Sequence, residues 1–235
     1  MHNKEISKIL SDLESGYDLI AEKFSGTRAT MWRDLEFIRD MVRPGDRVLD
    51  FGCGNGRLAG FLGLGRNEPA FAKASAGKYI GIDTSQKLID IAKQKYNSEK
   101  TKFIKISPNF KKLSFEDNYF DVIFSIAVFH HFPSKEYALE VAKELRRVLK
   151  PGGKIVITAW NLWQKQYLKY HKKSKKEWLE AEISFKSGDG IFKRYHHPFR
   201  MGELENLFFE SGFKTLKKEE GWNLVYIGKK SAGDK

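Results

Sequence analysis

Cysteine is almost missing from this chain: Cys53 is the single one in 235 residues. One thiol excludes an internal disulfide framework and a cysteine-built zinc cluster, and it agrees with a reducing compartment, so a cytoplasmic protein without a structural metal is expected. Long apolar runs are missing as well. No stretch approaches the roughly 18 consecutive apolar residues of a membrane span, and no membrane association is expected. The first residues, MHNKEISKIL, lack an apolar core followed by a small-residue cleavage site, so nothing marks the chain for secretion.

Charge is plentiful. Lys and Arg number 42 against 30 Asp and Glu, a formal net charge of +12. Such an excess suits a polyanionic partner and also serves plain solubility, so its placement matters more than its size. Between Asn161 and Arg200 there are 8 Lys and 2 Arg against 3 Glu and 1 Asp, a net of +6. Half the surplus is concentrated there.

Apolar spacing orders the rest. Ile6, Ile9, Leu10, Leu13, Tyr17 and Ile20 recur at steps of three and four, one face of a helix. A second helix carries Trp32, Leu35, Ile38 and Met41 and stops before Pro44-Gly45. Short β-rich runs then follow at Arg47 to Phe51, Tyr79 to Ile82, Lys102 to Ile106, Asp121 to Ser125 and Lys154 to Thr158. Helical segments separate them, one N-capped by Ser85 and one through Ala138, Val141, Leu145 and Val148. After a last helix over Gly202 to Gly212, Phe213 to Glu219 and Asn223 to Lys229 can close an antiparallel pair. This alternation predicts an α/β fold, a Rossmann-like seven-stranded, mainly parallel sheet with helices on both faces and an antiparallel last strand. Ligands bind at the carboxyl ends of such strands.

One domain with elaborations is expected: helices over 1–44 capping a core over 45–235. That core carries an inserted surface loop at about 65–78, biased to Ala, Lys, Gly and Ser, and a basic insertion at about 161–200. In the second insertion Trp160, Trp163, Tyr167 and Tyr170 fall at steps of three, four and three, while Lys165, Lys169, Lys172, Lys173 and Lys176 occupy another face. The aromatic stripe reads as core or as a base-stacking platform, and the lysines as a solvated face or an electrostatic track.

The run Val48 to Gly56, VLDFGCGNG, carries the chemistry. Asp50-Phe-Gly52-Cys53-Gly54-Asn55-Gly56 follows an apolar strand and leads into a short helix, a loop whose glycines let a ligand approach the backbone. A dinucleotide fingerprint would place a small residue where Arg57 stands; here the spacing is GxGxG preceded by an acid. Asp83, ending the next strand 33 residues after Asp50, is placed to take two ribose hydroxyls. The usual gap from the glycine motif is about 20, and the inserted loop accounts for the excess.

With these residues the chain resembles class I S-adenosylmethionine-dependent methyltransferases over about residues 45 to 160. The resemblance implies S-adenosyl-L-methionine as cofactor, with the first acid and glycine loop at its methionine end and Asp83 with Thr84 at ribose. Asn109 stands at the adenine position, where Asp is more usual, beside Phe110. Ser125 closes the fourth-strand stretch of the same motif set. Three further segments resemble the tRNA wobble-uridine carboxymethyl methyltransferases: Tyr17 to Arg28 with Trp32 beyond, Ser125 to Phe132 with His130 and His131, and Arg194-Tyr195-His196-His197 followed by Gly202-Glu203-Leu204. Departures are Arg33 for a proline, His196 for a tyrosine, Trp222-Asn223 for Asn-Trp, and the insert after Leu64.

That resemblance implies methyl esterification of a carboxylate on a modified uridine of the tRNA anticodon loop, and in some relatives a small zinc-binding activator subunit. Such a carboxylate, with a pKa near about 4, is already ionised at neutral pH and needs alignment rather than a general base. Arg28 or Arg194 would orient it, Ile126, Val128 and Phe129 would wall it off, and His130 or His131 would position it or simply pack. Tyr17, Trp32, Tyr195 and His197 are the other candidate substrate contacts, with Lys172, Lys173 and Lys176 for phosphates. Two other readings stay open: a small-molecule methyltransferase, and an RNA-binding protein that keeps the cofactor pocket without turnover.

Overall fold

The computed structural model describes residues 3–28, 30–64, 77–172, 178–187 and 190–231. Seven strands form one sheet: β1 (Arg47–Phe51), β2 (Lys78–Asp83), β3 (Thr101–Lys105), β4 (Phe120–Ile126), β5 (Leu149–Trp160), β8 (Phe213–Glu220) and β9 (Asn223–Lys230). Their order is β3-β2-β1-β4-β5-β9-β8. Pairings from β3 to β5 are parallel; β9, last in the chain, is antiparallel to both β5 and β8. The expected sheet is therefore present, with its odd strand slotted between β5 and β8.

Alternation along the strands divides the core. Leu49, Phe51, Ile80, Ile82 and Ile123 face one layer of helices, α4 (Lys135–Val148) and α5 (Met201–Glu210). Val48, Tyr79, Val122, Phe124 and Val156 face the other, built from α2 (Arg57–Phe61), α3 (Gln86–Tyr96) and the segment Arg33–Met41. Ser85 caps α3 by accepting the Leu88 N–H, as the sequence predicts.

Two expectations are revised. The expected second helix is present over Arg33–Met41 and takes the 3₁₀ form. Trp32, Leu35, Ile38 and Met41 recur at a strict three, the spacing that eclipses side chains on a three-residue turn, and Leu35 and Ile38 are fully buried. The second correction concerns the aromatic stripe, which is not helical. Trp160 ends β5, only Leu168–Tyr170 makes a 3₁₀ turn, and the chain folds back into a hairpin of β6 (Ala181–Ser187) and β7 (Gly190–His196). Trp160, Tyr167 and Tyr170 pack on Leu162, Ala181 and Ile183, so they form a small core under the hairpin. Most of the insert, residues 65–76, and the candidates Lys173 and Lys176 lie outside the described residues.

The long N-terminal helix α1 (Asn3–Gly26) lies against β7 and α3. Its Asp18 carboxylate accepts the Ser85 hydroxyl (2.6 Å) and the Lys87 N–H (3.0 Å), an acid at the start of α3. Gly16 leaves room for the Phe192 ring; an added Cβ would fall 2.0 Å from it. Gly16→Ala should therefore cost about 1–3 kcal/mol by overpacking, and Gly16→Ala with Phe192→Leu should recover part of the loss in thermal unfolding. An unchanged midpoint in the single variant would show that the helix slides freely over the hairpin.

Candidate active site

β1, buried along its apolar residues, carries Asp50 just before its last residue, and after Phe51 the chain turns through three glycines with positive φ: Gly52 (77°), Gly54 (53°) and Gly56 (77°). Side chains rarely tolerate that region. At Gly52 a Cβ would also meet Val128 Cγ2 at 2.3 Å, so the loop and the residue after β4 touch only because it is glycine. The Gly52 and Cys53 N–H groups donate to the Ile82 carbonyl (2.8 and 3.0 Å). Asp83 completes the stitch: one carboxylate oxygen accepts the Gly54 N–H (2.8 Å), the other the Ser85 N–H (2.9 Å). The Asn55 amide donates to Ser25 Oγ (3.1 Å), tying the loop to the last turn of α1.

Both acids are buried in the sense that matters for charge. Burial pushes the Asp50 carboxyl up to about 7; the hydrogen bond from the Tyr79 hydroxyl opposes this and the Asp83 charge adds to it. Burial also raises Asp83, against the pull of its backbone N–H partners. A cation between these carboxylates would stabilise their ionised forms.

The opposite wall is basic and aromatic. Tyr17, Phe24 and Arg28 come from α1 and the turn after it, Val128, His130 and His131 from the segment after β4, Trp160 from the end of β5, and Arg194 from β7. Ala127, with φ 60°, turns the chain off β4, and its N–H is held by Thr158. His131 Nδ1 faces the Tyr195 carbonyl (2.8 Å) and so carries the proton, leaving Nε2 to accept from the Tyr17 hydroxyl (2.8 Å). Burial lowers His131 to about 3, the Tyr195 bond opposing and the Arg194 charge adding, so the imidazole is neutral. His130 Nδ1 accepts the Trp160 N–H (3.2 Å), and burial holds this ring far below the ordinary histidine range as well.

His196 stacks on His130 (centroids 5.1 Å, 15°), and ring nitrogens of His130, His131 and His196 lie within 4.8 Å of one another. This is a poor metal site all the same. The lone pairs of His130 Nδ1 and His131 Nε2 are committed, and the Arg194 charge beside the three rings repels a cation.

Arg194 is 4% exposed, its guanidinium 5.3 Å from the Trp160 ring and 5.5 Å from that of Phe185, and its Nε has no partner. Arg28 lies over Phe24 at 5.4 Å; burial and then the Arg194 charge lower its pKa. Neither arginine is ion-paired among the described residues. Two guanidiniums that repel each other across an apolar pocket make a site for an anion.

Most sequence-predicted residues converge here. Asp50, Gly52, Cys53, Gly54, Asn55, Asp83, Thr84, Phe110, Arg28, His130, Arg194, Tyr17, Trp32 and His131 all line the one pocket. Others do not. Gly56 sits under α3, where a Cβ would meet Tyr96 at 2.8 Å, because α2 must pack closely. Ser125 is buried inside the sheet opposite Ile157, and Asn109 points to solvent while Ile106, Pro108 and Phe110 line that end. Tyr195 alternates to the far face of β7 and reaches the Pro133 carbonyl. His197 is clamped between Glu203 (2.8 Å) and the Leu179 carbonyl (2.8 Å) and stacks on Trp178 at 3.6 Å, a structural role. Lys172 lies 3.7 Å from both Glu180 and Glu182, away from the pocket. Sequence reasoning missed Leu10, Leu13, Phe24 and Met31 as wall residues and read Trp160 only as part of a stripe. Its place at the carboxyl end of a strand was the available signal.

This sheet order, with a glycine loop and two acids at adjoining strand ends, defines an α/β methyl-transfer fold. A family model described as "Methyltransferase domain" matches residues 49–157. The chain is 31% identical to a protein of Encephalitozoon cuniculi named "Putative methyltransferase ECU09_1500", over 85% of this chain and 86% of that one. It belongs to the S-adenosylmethionine-dependent methyltransferases, and S-adenosylmethionine is its cofactor. It is also 34% identical, over 61% of its length, to a "tRNA (carboxymethyluridine(34)-5-O)-methyltransferase" of Arabidopsis thaliana, and spans about a third (31%) of that relative. In fold it is similar to a chain from a Haloferax volcanii complex between the Trm112 methyltransferase activator and a methyltransferase (TM-score 0.63, 16% identity, 92% of this chain and 97% of that one).

Because Asp50 titrates near about 7 before a cation arrives, S-adenosylmethionine affinity measured by calorimetry should rise between about pH 6 and about pH 8, as the acid loses its proton. Asp50→Asn should flatten that dependence. A wild-type profile that falls with pH would refute the assignment. Asp83→Ala should weaken cofactor binding at every pH in that range by about 10-fold or more. Undiminished affinity would remove Asp83 from the site.

Proposed function

We propose that this chain methylates the carboxylate of a modified wobble uridine in tRNA, forming a methyl ester. The observation that carries the reading is the pair Arg28 and Arg194, without an ion pair among the described residues, repelling each other and set in an apolar pocket beside the glycine loop. A carboxylate answers both charges, whereas a neutral amine or hydroxyl answers neither. The similarity to the Arabidopsis tRNA methyltransferase supports the same acceptor.

In this reading Asp50 and the loop Gly52 to Asn55 hold the methionine end of the cofactor, Asp83 and Thr84 the ribose, and Ile106, Pro108 and Phe110 the adenine face. S-adenosylmethionine supplies an electrophilic methyl carbon on a sulfonium. When bound, it would supply that methyl group to the carboxylate and leave as the thioether, a transfer that asks no residue here to take or give a proton. Arg28 and Arg194 would orient the carboxylate toward the cofactor loop, while Val128 and Phe132 would exclude water. His131 contributes shape rather than basicity: its lone pair is taken by Tyr17, and Tyr17 is thereby fixed beside the arginines. His130 takes the Trp160 N–H and sets that wall. At saturating cofactor, turnover should not depend on the ionisation of a histidine.

The test is incubation with labelled cofactor and total tRNA carrying the carboxyl precursor, alone and with a small activator of the Trm112 kind, followed by nucleoside mass spectrometry. A methyl ester at the wobble uridine is expected. Its absence in both arms would refute the reading, and label in small molecules alone would favour a small-molecule acceptor. Arg194→Met should lower kcat/KM by about 10- to 100-fold with cofactor affinity unchanged, and Arg194→Lys should recover little, since a point charge does not replace a fork.

A further inference from the structure

The most exposed large apolar side chain among the described residues is Trp222, 71% accessible, at the turn between β8 and β9. Since β8 and β5 are both antiparallel to β9, they run the same way, and this turn lies at the carboxyl edge of the sheet, the edge that carries the pocket. Asn223, the next residue, pairs in register with Trp160, which lines the pocket. Trp222 therefore stands on the rim one strand away from the acceptor wall.

The turn is held as firmly as the ring is left bare. The Trp222 carbonyl accepts the Gln164 side-chain amide (3.1 Å) and the Asn161 N–H (3.3 Å). The Gly221 carbonyl accepts the Asn161 side chain (3.1 Å), the Gly221 N–H donates to the Asn223 carbonyl (2.9 Å), and the Asn223 amide donates to Asp34 (3.1 Å). Asn161 and Gln164 follow Trp160 directly, so one short segment fixes both the pocket wall and the rim tryptophan. Its neighbours on the rim are polar or acidic: Asn161, Gln164, Asp34 and Glu220. Among the described residues these rim segments expose no other large apolar side chain, as an apolar protein contact would require, and the acids disfavour a phosphate at this spot. What the ring offers is a neutral aromatic face carried on an anchored turn, which matches an unpaired nucleobase.

We propose that Trp222 is a stacking platform for an unpaired base next to the methylated nucleotide, so that the anticodon loop is read by the pocket and the rim together. This rests on the RNA-acceptor reading above. The test measures binding of a fluorescently labelled anticodon stem-loop to the wild-type chain, Trp222→Ala and Trp222→Phe at two salt concentrations. Trp222→Ala should weaken binding by about 10-fold at both salts, and Trp222→Phe should stay near wild type, because stacking needs a ring and is not screened. Cofactor affinity should be unchanged in all three. If the wild type binds the RNA and Trp222→Ala binds equally well, the platform is refuted and the acceptor reading stands. If the wild type binds no RNA, with or without activator, both fall. Loss of self-association in Trp222→Ala with RNA binding intact would assign the ring to a contact between copies instead.

Discussion

Asp83 is held by two backbone N–H groups, one from the glycine loop and one from the start of α3, and the site is arranged around that clasp. The first bond sets the loop over the end of β2. The second fixes the turn whose Ser85 hydroxyl and Lys87 N–H receive Asp18, so the seat of α1 follows from the same few residues. α1 in turn carries Tyr17 and leads to Arg28. An acid that cost burial energy is thus offset by backbone donors rather than by a cation, and its free lone pairs remain available to a ligand.

The pocket is divided by charge. Asp50 and Asp83 lie on one side, Arg28 and Arg194 on the other, and between them are imidazoles kept neutral by burial. In the proposed reading a cationic donor and an anionic acceptor each meet their complement. On the proposed reaction both charges vanish together, since a sulfonium becomes a thioether as a carboxylate becomes an ester. Each half then loses its strongest hold on what it bound, which favours product release over product retention.

Much of this was legible in the sequence where chemistry and spacing coincide. Asp50, the glycines and Asp83 are recognisable because a sharp turn, a close approach and an acid at a strand end are local demands, and the strands themselves followed from apolar runs of the right length. Apolar spacing predicts a helix from Trp32 to Met41, and its strict step of three marks the 3₁₀ form that it takes. Ile183, Phe185, Phe192 and Arg194 alternate on either side of a Gly-Asp-Gly sequence, the pattern of a hairpin, but within a segment whose basic composition reads equally as a charged face. Asn109 and Ser125 were placed by motif position, and a shift of one residue in a loop or strand turns a side chain away from its ligand. Leu10 and Leu13 could not be found, since a helix face says what is buried but not whether protein or ligand covers it.

The hydrogen bond from Tyr17 to His131 spans 114 positions, and His131 reaches on to the carbonyl of Tyr195. The cofactor side, by contrast, is built largely from one β-loop-α-β stretch. Closing contacts across long chain separations carries the larger entropic cost and is slow. The order of assembly is then built into the chain: the donor cradle can form while the ends are still loose, and the acceptor wall closes last. By the same logic it is the first part to open under stress, leaving a partly unfolded molecule that still holds its cofactor but has no use for it.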